Sequence, residues 1–213
     1  MKTLPVDEIT LSGSSLAFID SPFGGIRPEF KKQVTIVFTD GKSDARWAGA
    51  PQTAFGRTLV GSVHISEREG RCSAICLVDL YALLTRSKTP EQTVGRSTIP
   101  PALSPRLFRY LVVETIVHEL AHVAQGWQLG ESFARDVQEE QISATARAKE
   151  YADKNPEMPD SAERQNQFER GARDFADRWM NQHADDVHAG NFDFLLPIIV
   201  LRGEFRDLPA MPR

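Results

Sequence analysis

The chain has 213 residues, 41% of them hydrophobic and 25% charged, which suits a single globular domain with a sizeable core. Lys plus Arg number 25 against 29 Asp plus Glu, so the net charge of -4 lacks the basic field of a non-specific nucleic-acid binder. The first fifteen residues lack a signal-peptide core, and the apolar run at 194–201 is short and contains Pro197, so a cytoplasmic protein with no membrane span is expected.

Residues 1–30 carry Pro5, Pro22, Pro28 and several glycines, and read as a loop-rich segment with room for a short strand. "QVTIVFTD" (33–40) is β-branched and aromatic and runs into Asp40-Gly41, a strand followed by a turn. "TLVGSVHISE" (58–67) alternates Val63 and Ile65 with Ser62, His64 and Ser66, the pattern of a half-buried strand. In "CSAIC", Cys72 and Cys76 have neither the number for a four-thiolate zinc site nor the redox C-x-x-C spacing. Two buried, reduced thiols are expected, with a disulfide as the alternative. Residues 73–85 suit a strand running into a short helix, and 85–104, with three prolines and one glycine, a surface loop or flap.

A helix is then expected from Ser104 as N-cap and Pro105 as first residue, closing at Gly126 or Gly130. Further helices are expected over about 131–153 and about 162–183, followed by an irregular tail at 190–213. The order implies an α+β fold: a small, mostly antiparallel N-terminal sheet, an active-site helix and two more helices.

That active-site helix contains "ETIVHELAHVAQGW" (114–127), with His-Glu-x-x-His at 118–122. Residues four apart share a helix face, so His118 and His122 can aim at one ion. Glu119 lies about 100° round the helix, free to act as general base on a water rather than as a chelator. The flanking Ile116, Val117, Leu120, Ala121, Val123 and Ala124 place the motif on a buried helix, where imidazoles and a carboxylate need partners. Zn²⁺ is the implied cofactor.

The motif does not supply the third protein ligand. On the next helix Glu140 shares a face with Val137 and Ala144, whereas Glu139 is rotated towards Arg135 and Ile142, so Glu140 is preferred and Glu139 is the alternative. The arrangement resembles the gluzincin zinc metallopeptidases, zincins with H-E-x-x-H on one helix and a glutamate ligand on a second. The family's glutamate followed three residues on by a small residue is matched by Glu140 and Ser143, 18 residues after His122; where some members have a preceding Asn, this chain has Glu139. A second segment, "ERGARDFA" (169–176), resembles the Glu-x-x-Ala-x-x-Phe-Ala ligand helix of some compact members, making Glu169 a fallback 47 residues from His122.

The resemblance implies hydrolysis of peptide bonds in a peptide or protein, with a strand edge gripping substrate, for which "GSVHIS" (61–66) is the candidate. His64 on that strand reads as solvent-facing. Tyr151, Arg147, His183 and His188 are candidate oxyanion donors, with Asp185 spaced to orient His188. Two rival readings are a catalytically silent zincin-like metal-binding protein, against which Glu119 argues, and a di-iron carboxylate protein, which lacks a second Glu-x-x-His. Oligomeric state is not legible.

Overall fold

The computed structural model describes residues 7–19, 29–39, 41–50, 54–86, 92–94, 97–99, 105–157, 161–192 and 195. Its strands are β1 (Asp7–Ser12), β2 (Lys31–Thr39), β3 (Gly56–Thr58), β4 (His64–Ser66), β5 (Arg71–Asp79), β6 (Gln92–Val94) and β7 (Ser97–Ile99). Its helices are α1 (Leu80–Arg86), α2 (Pro105–Leu129), α3 (Phe133–Lys154), α4 (Ala162–Gln165) and α5 (Gln167–Ala189). The order is α+β, a small N-terminal sheet and then helices.

The main sheet runs β1-β2-β5-β3, with β4 also on β5. Three of its pairings are antiparallel, but the longest, β2 with β5, is parallel from Lys31↔Arg71 to Thr39↔Asp79. The C-terminal halves of the two strands, from Ile36 and Cys76 on, are buried on both faces, which suits a parallel pair, while Lys31, Gln33, Arg71 and Ser73 leave one face exposed at their starts. Val34, Ile36, Phe38, Cys72, Ala74, Cys76 and Val78 face the main core, while Val37 and Leu77 meet Trp47 on the other side. Cys72 and Cys76 are buried free thiols. Four residues of extended strand separate them by about 13 Å, beyond the reach of a disulfide.

The 58–67 segment is not one strand. β3 ends at Thr58, a 3-10 turn covers Val60–Ser62, and β4 starts at His64. Ser62 accounts for the break: its Oγ donates to Leu59 O (2.7 Å) and accepts from Ile75 N–H (2.8 Å), replacing ladder bonds with side-chain bonds. Ile65, expected to point inward, is 37% exposed.

The N-terminal segment contributes more than loop, since β1 and the 3-10 turn Gly13–Ile19 bring Leu11, Leu16 and Ile19 into the core. Within 85–104, β6 and β7 form an antiparallel hairpin (Gln92↔Ile99). The expected cap Ser104 and most of the 190–213 tail lie outside the described residues, apart from 190–192 and the buried Leu195.

α2 is the central element. Val112, Val113, Ile116, Val117, Leu120, Ala121, Val123 and Ala124 are all fully buried, so the helix is enclosed on nearly every side. Trp127 Nε1 donates to Ser73 O (3.2 Å), tying it to β5, and Ala172, Phe175, Ala176 and Met180 of α5 join the same core. The helix stops at Gly130, whose φ of +61° favours glycine. Gly126 instead lies inside it, where an added Cβ would come within 2.7 Å of Val63 and 2.8 Å of Phe133. The helix expected over 162–183 is divided at Asn166, with α4 before and α5 after.

Among the described residues no helix is long and apolar enough to cross a membrane.

Candidate metal centre

α2 presents His118 and His122 on one face, as their spacing requires, and α5 lies across that face with Glu169 in its first turn. The three donor atoms converge. His118 Nε2 and His122 Nε2 are 3.2 Å apart, and Glu169 Oε2 lies 3.4 Å from the first and 3.5 Å from the second. Among the described residues no other group of three or more His, Cys, Asp or Glu side chains comes together in this way. This cluster can hold a metal ion.

The placement of Glu169 follows from how α5 begins. Asn166, 3% exposed, is the N-cap: its Oδ1 accepts from Phe168 N–H (2.9 Å) and Glu169 N–H (3.3 Å). Glu169 occupies the third helical position, from which a glutamate commonly reaches back to the cap's own N–H. Here Asn166 N–H donates instead to Glu163 O of α4 (3.3 Å), leaving the Glu169 carboxylate for the histidines. The N-terminal end of α5 also favours negative charge. Burial works against that charge, but hydrogen bonds from His118 and His122 outweigh it and hold the Glu169 carboxyl far below the usual carboxylate range. Burial likewise opposes charge on His122. The Glu169 carboxylate, the Glu119 charge and a hydrogen bond to Gln125 nevertheless push it up to about 9. Without a cation the cluster is therefore an ion pair, and binding one releases a proton from His122.

Glu140, the sequence-preferred third ligand, lies outside this cluster. Its side chain is largely buried, but its Oε1 accepts from Arg147 Nη2 (2.6 Å) and from the backbone N–H of Gln167 (2.8 Å). Arg147 continues to Gln165 O (2.7 Å). The face argument for Glu140 therefore identified a carboxylate with a real partner, and that partner is the start of α5 rather than an ion. Glu139 is exposed and 3.9 Å from Arg135. The fallback, Glu169, is the carboxylate that stands beside the histidines.

Glu119 stays out of the metal cluster, as its position round the helix requires. It is 5% exposed and turned to β3, where Thr58 Oγ1 lies 2.8 Å from its Oε2 and 3.0 Å from its backbone oxygen. Gly56 makes room for it: a Cβ there would lie 2.5 Å from Glu119 Oε1 and 2.8 Å from Thr115 Cγ2. On the far side, Cys76 Sγ is 3.5 Å from Thr58 Oγ1, and burial, helped by the Glu119 charge, raises its thiol well above the ordinary value.

No family model, curated protein or solved structure matches this chain. Its own geometry therefore carries the reading.

The other sequence candidates fall outside the cluster. His64 is exposed on β4, opposite Ser73. Tyr151 is 37% exposed, and Arg147 is committed to Glu140 and Gln165. His183 Nδ1 lies 2.8 Å from Trp179 O, its ring stacked on that indole. His188 Nδ1 is buried and has no hydrogen-bond partner among the described residues, so Asp185 does not orient it. The sequence reading passed over Gln125, Thr58 and Gly56. Gln125 follows His122 by three residues, a spacing at which helix side chains meet; nothing local marks the two on β3.

Proposed function

We propose that the chain is a zinc-dependent metallopeptidase of the gluzincin kind, with His118, His122 and Glu169 as ligands and Glu119 as general base. One observation carries this reading: the donor triangle of 3.2, 3.4 and 3.5 Å. Donors of a tetrahedral zinc at about 2.0–2.1 Å stand about 3.3 Å from one another, so the side chains fit the ion with little movement. Two imidazoles and one carboxylate suit zinc's borderline character, and three protein ligands are the number a catalytic site uses.

When bound, zinc supplies Lewis-acid activation of a water and of a substrate carbonyl. The remaining steps belong to the chain. Glu119 takes the proton of the attacking water on a carboxylate oxygen and delivers it to the leaving amine. The Thr58 hydroxyl holds Oε2, so Oε1 is the oxygen left to receive that proton. β3 ends the sheet beside Glu119, and its backbone can receive an extended peptide as an added strand. This moves the candidate grip from residues 61–66 to 56–58.

The test is Glu119→Gln assayed against a fluorescence-quenched peptide library. The variant should hold zinc as the wild type does and lose turnover by roughly 100- to 10,000-fold. Undiminished cleavage by Glu119→Gln contradicts the mechanism. Wild-type protein that binds zinc and cleaves nothing in the library supports the catalytically silent alternative.

A further inference from the structure

Gln125 lies one turn beyond His122 on α2 and is 8% exposed, a buried amide between two helices. Its Oε1 is 2.9 Å from His122 Nδ1, and its Nε2 donates to Phe168 O on α5 at 3.1 Å. Gly171 borders the same space, and a Cβ there would come within 3.0 Å of Gln125 Nε2. The amide is thus seated where both its ends have partners.

The partners dictate its orientation. Phe168 O is a carbonyl and can only accept, so the NH₂ end of Gln125 must face it. The oxygen end then faces His122, and Nδ1 must carry a hydrogen to donate to it. With Nδ1 protonated, the lone pair of neutral His122 is on Nε2, the atom facing His118 Nε2 and Glu169 Oε2. A backbone carbonyl on α5 thereby sets, through one amide, the tautomer of an imidazole on α2. Phe168 directly precedes Glu169, so the same amide holds the first turn of α5 in register with α2.

We propose that Gln125 is a positioning residue for the metal centre, selecting the Nε2-binding tautomer of His122 and docking Glu169 against it. This rests on the reading of His118, His122 and Glu169 as metal ligands. Groups that hold a ligating histidine by its second nitrogen typically contribute 10- to 100-fold to metal affinity.

The experiment is a zinc titration against a chromophoric chelator at constant pH, with wild type, Gln125→Leu and Gln125→Glu. It is paired with detection of the His122 Nδ1 proton by nitrogen-15 NMR of the zinc-loaded proteins. Gln125→Leu removes both bonds and should weaken zinc binding roughly 10- to 100-fold, with loss of the exchange-protected Nδ1 proton. Gln125→Glu can still accept from Nδ1–H but cannot donate to Phe168 O. It should keep the Nδ1 proton exchange-protected and, because its carboxylate is the stronger acceptor, bind zinc more tightly than Gln125→Leu. Comparison of these two, both folded by circular dichroism, reads the acceptor at Nδ1 apart from the bond to Phe168 O. If Gln125→Leu does not fold, Gln125→Glu decides: a lost Nδ1 proton in that variant overturns tautomer selection. Zinc affinity in Gln125→Leu within twofold of wild type overturns the inference while leaving the metal centre intact. A wild-type protein that binds no zinc overturns the metal centre itself, and this inference with it.

Discussion

The carboxylate of Glu169 meets two imidazoles, whereas that of Glu140 meets a guanidinium and a backbone N–H. Face reasoning can tell which side chains turn inward, because burial follows the period of the helix. It cannot tell which partner waits there: Arg147, two turns on along α3, is near Glu140 from the start, but the backbone N–H of Gln167 reaches it only once α4 and α5 fold back over α3. The His122–Glu169 pair has a consequence for pH. His122 is raised from an ordinary 6.5 to about 9, so its contribution to metal-free stability is complete below pH 6.5 and lost as pH rises through 9. Glu169 is lowered from an ordinary 4.5, so its contribution is present above that pH and lost only in stronger acid. In chelator-treated protein, the difference in urea midpoint between wild type and Glu169→Gln should therefore be largest between about pH 4.5 and 6.5 and shrink towards pH 9. A difference that grows with alkalinity would contradict the ion pair.

At the scale of elements, the site depends on where one helix starts. The Asn166 cap, the Gln125 amide and the Glu140 carboxylate all hold the first turn of α5, which carries Glu169. Asn166→Ala removes the cap and the bond from its Nδ2 to Gln141 Oε1 (3.1 Å). The expected cost is about 1 kcal/mol in urea unfolding, together with weaker zinc binding, while Asn166→Asp should retain the cap. Equal zinc affinity in Asn166→Ala and wild type would show that the cap does not position Glu169. Much of this level was legible. Pro105, the apolar periodicity of α2 and Gly130 marked that helix, and "QVTIVFTD" marked most of β2. The division of the last helix at Asn166 was missed because "ERQNQFER" has no proline or glycine, and its cap is a polar residue in a polar stretch. Strand 58–67 was misread because Ser62 substitutes its hydroxyl for ladder bonds, an event that alternation alone does not register.

For the whole molecule, α2 forms the axis, enclosed by the sheet on one side and α5 on another, with two faces of His-Glu-x-x-His engaged at once. His118 and His122 face α5, and Glu119 faces β3. The motif itself was visible in five residues, and so was its burial. Its partners were not, because Thr58 lies 61 residues before Glu119, and Glu169 lies 47 residues after His122. The fold alone brings them together. The central claim is that Glu169, not Glu140, completes the metal site with the two histidines. Zinc content per chain, measured by mass spectrometry on wild type, Glu169→Ala and Glu140→Ala after loading and desalting, tests it most directly. About one zinc per chain in wild type and Glu140→Ala, with near-total loss in Glu169→Ala, is the expected result. Zinc retained in Glu169→Ala and lost in Glu140→Ala would contradict it.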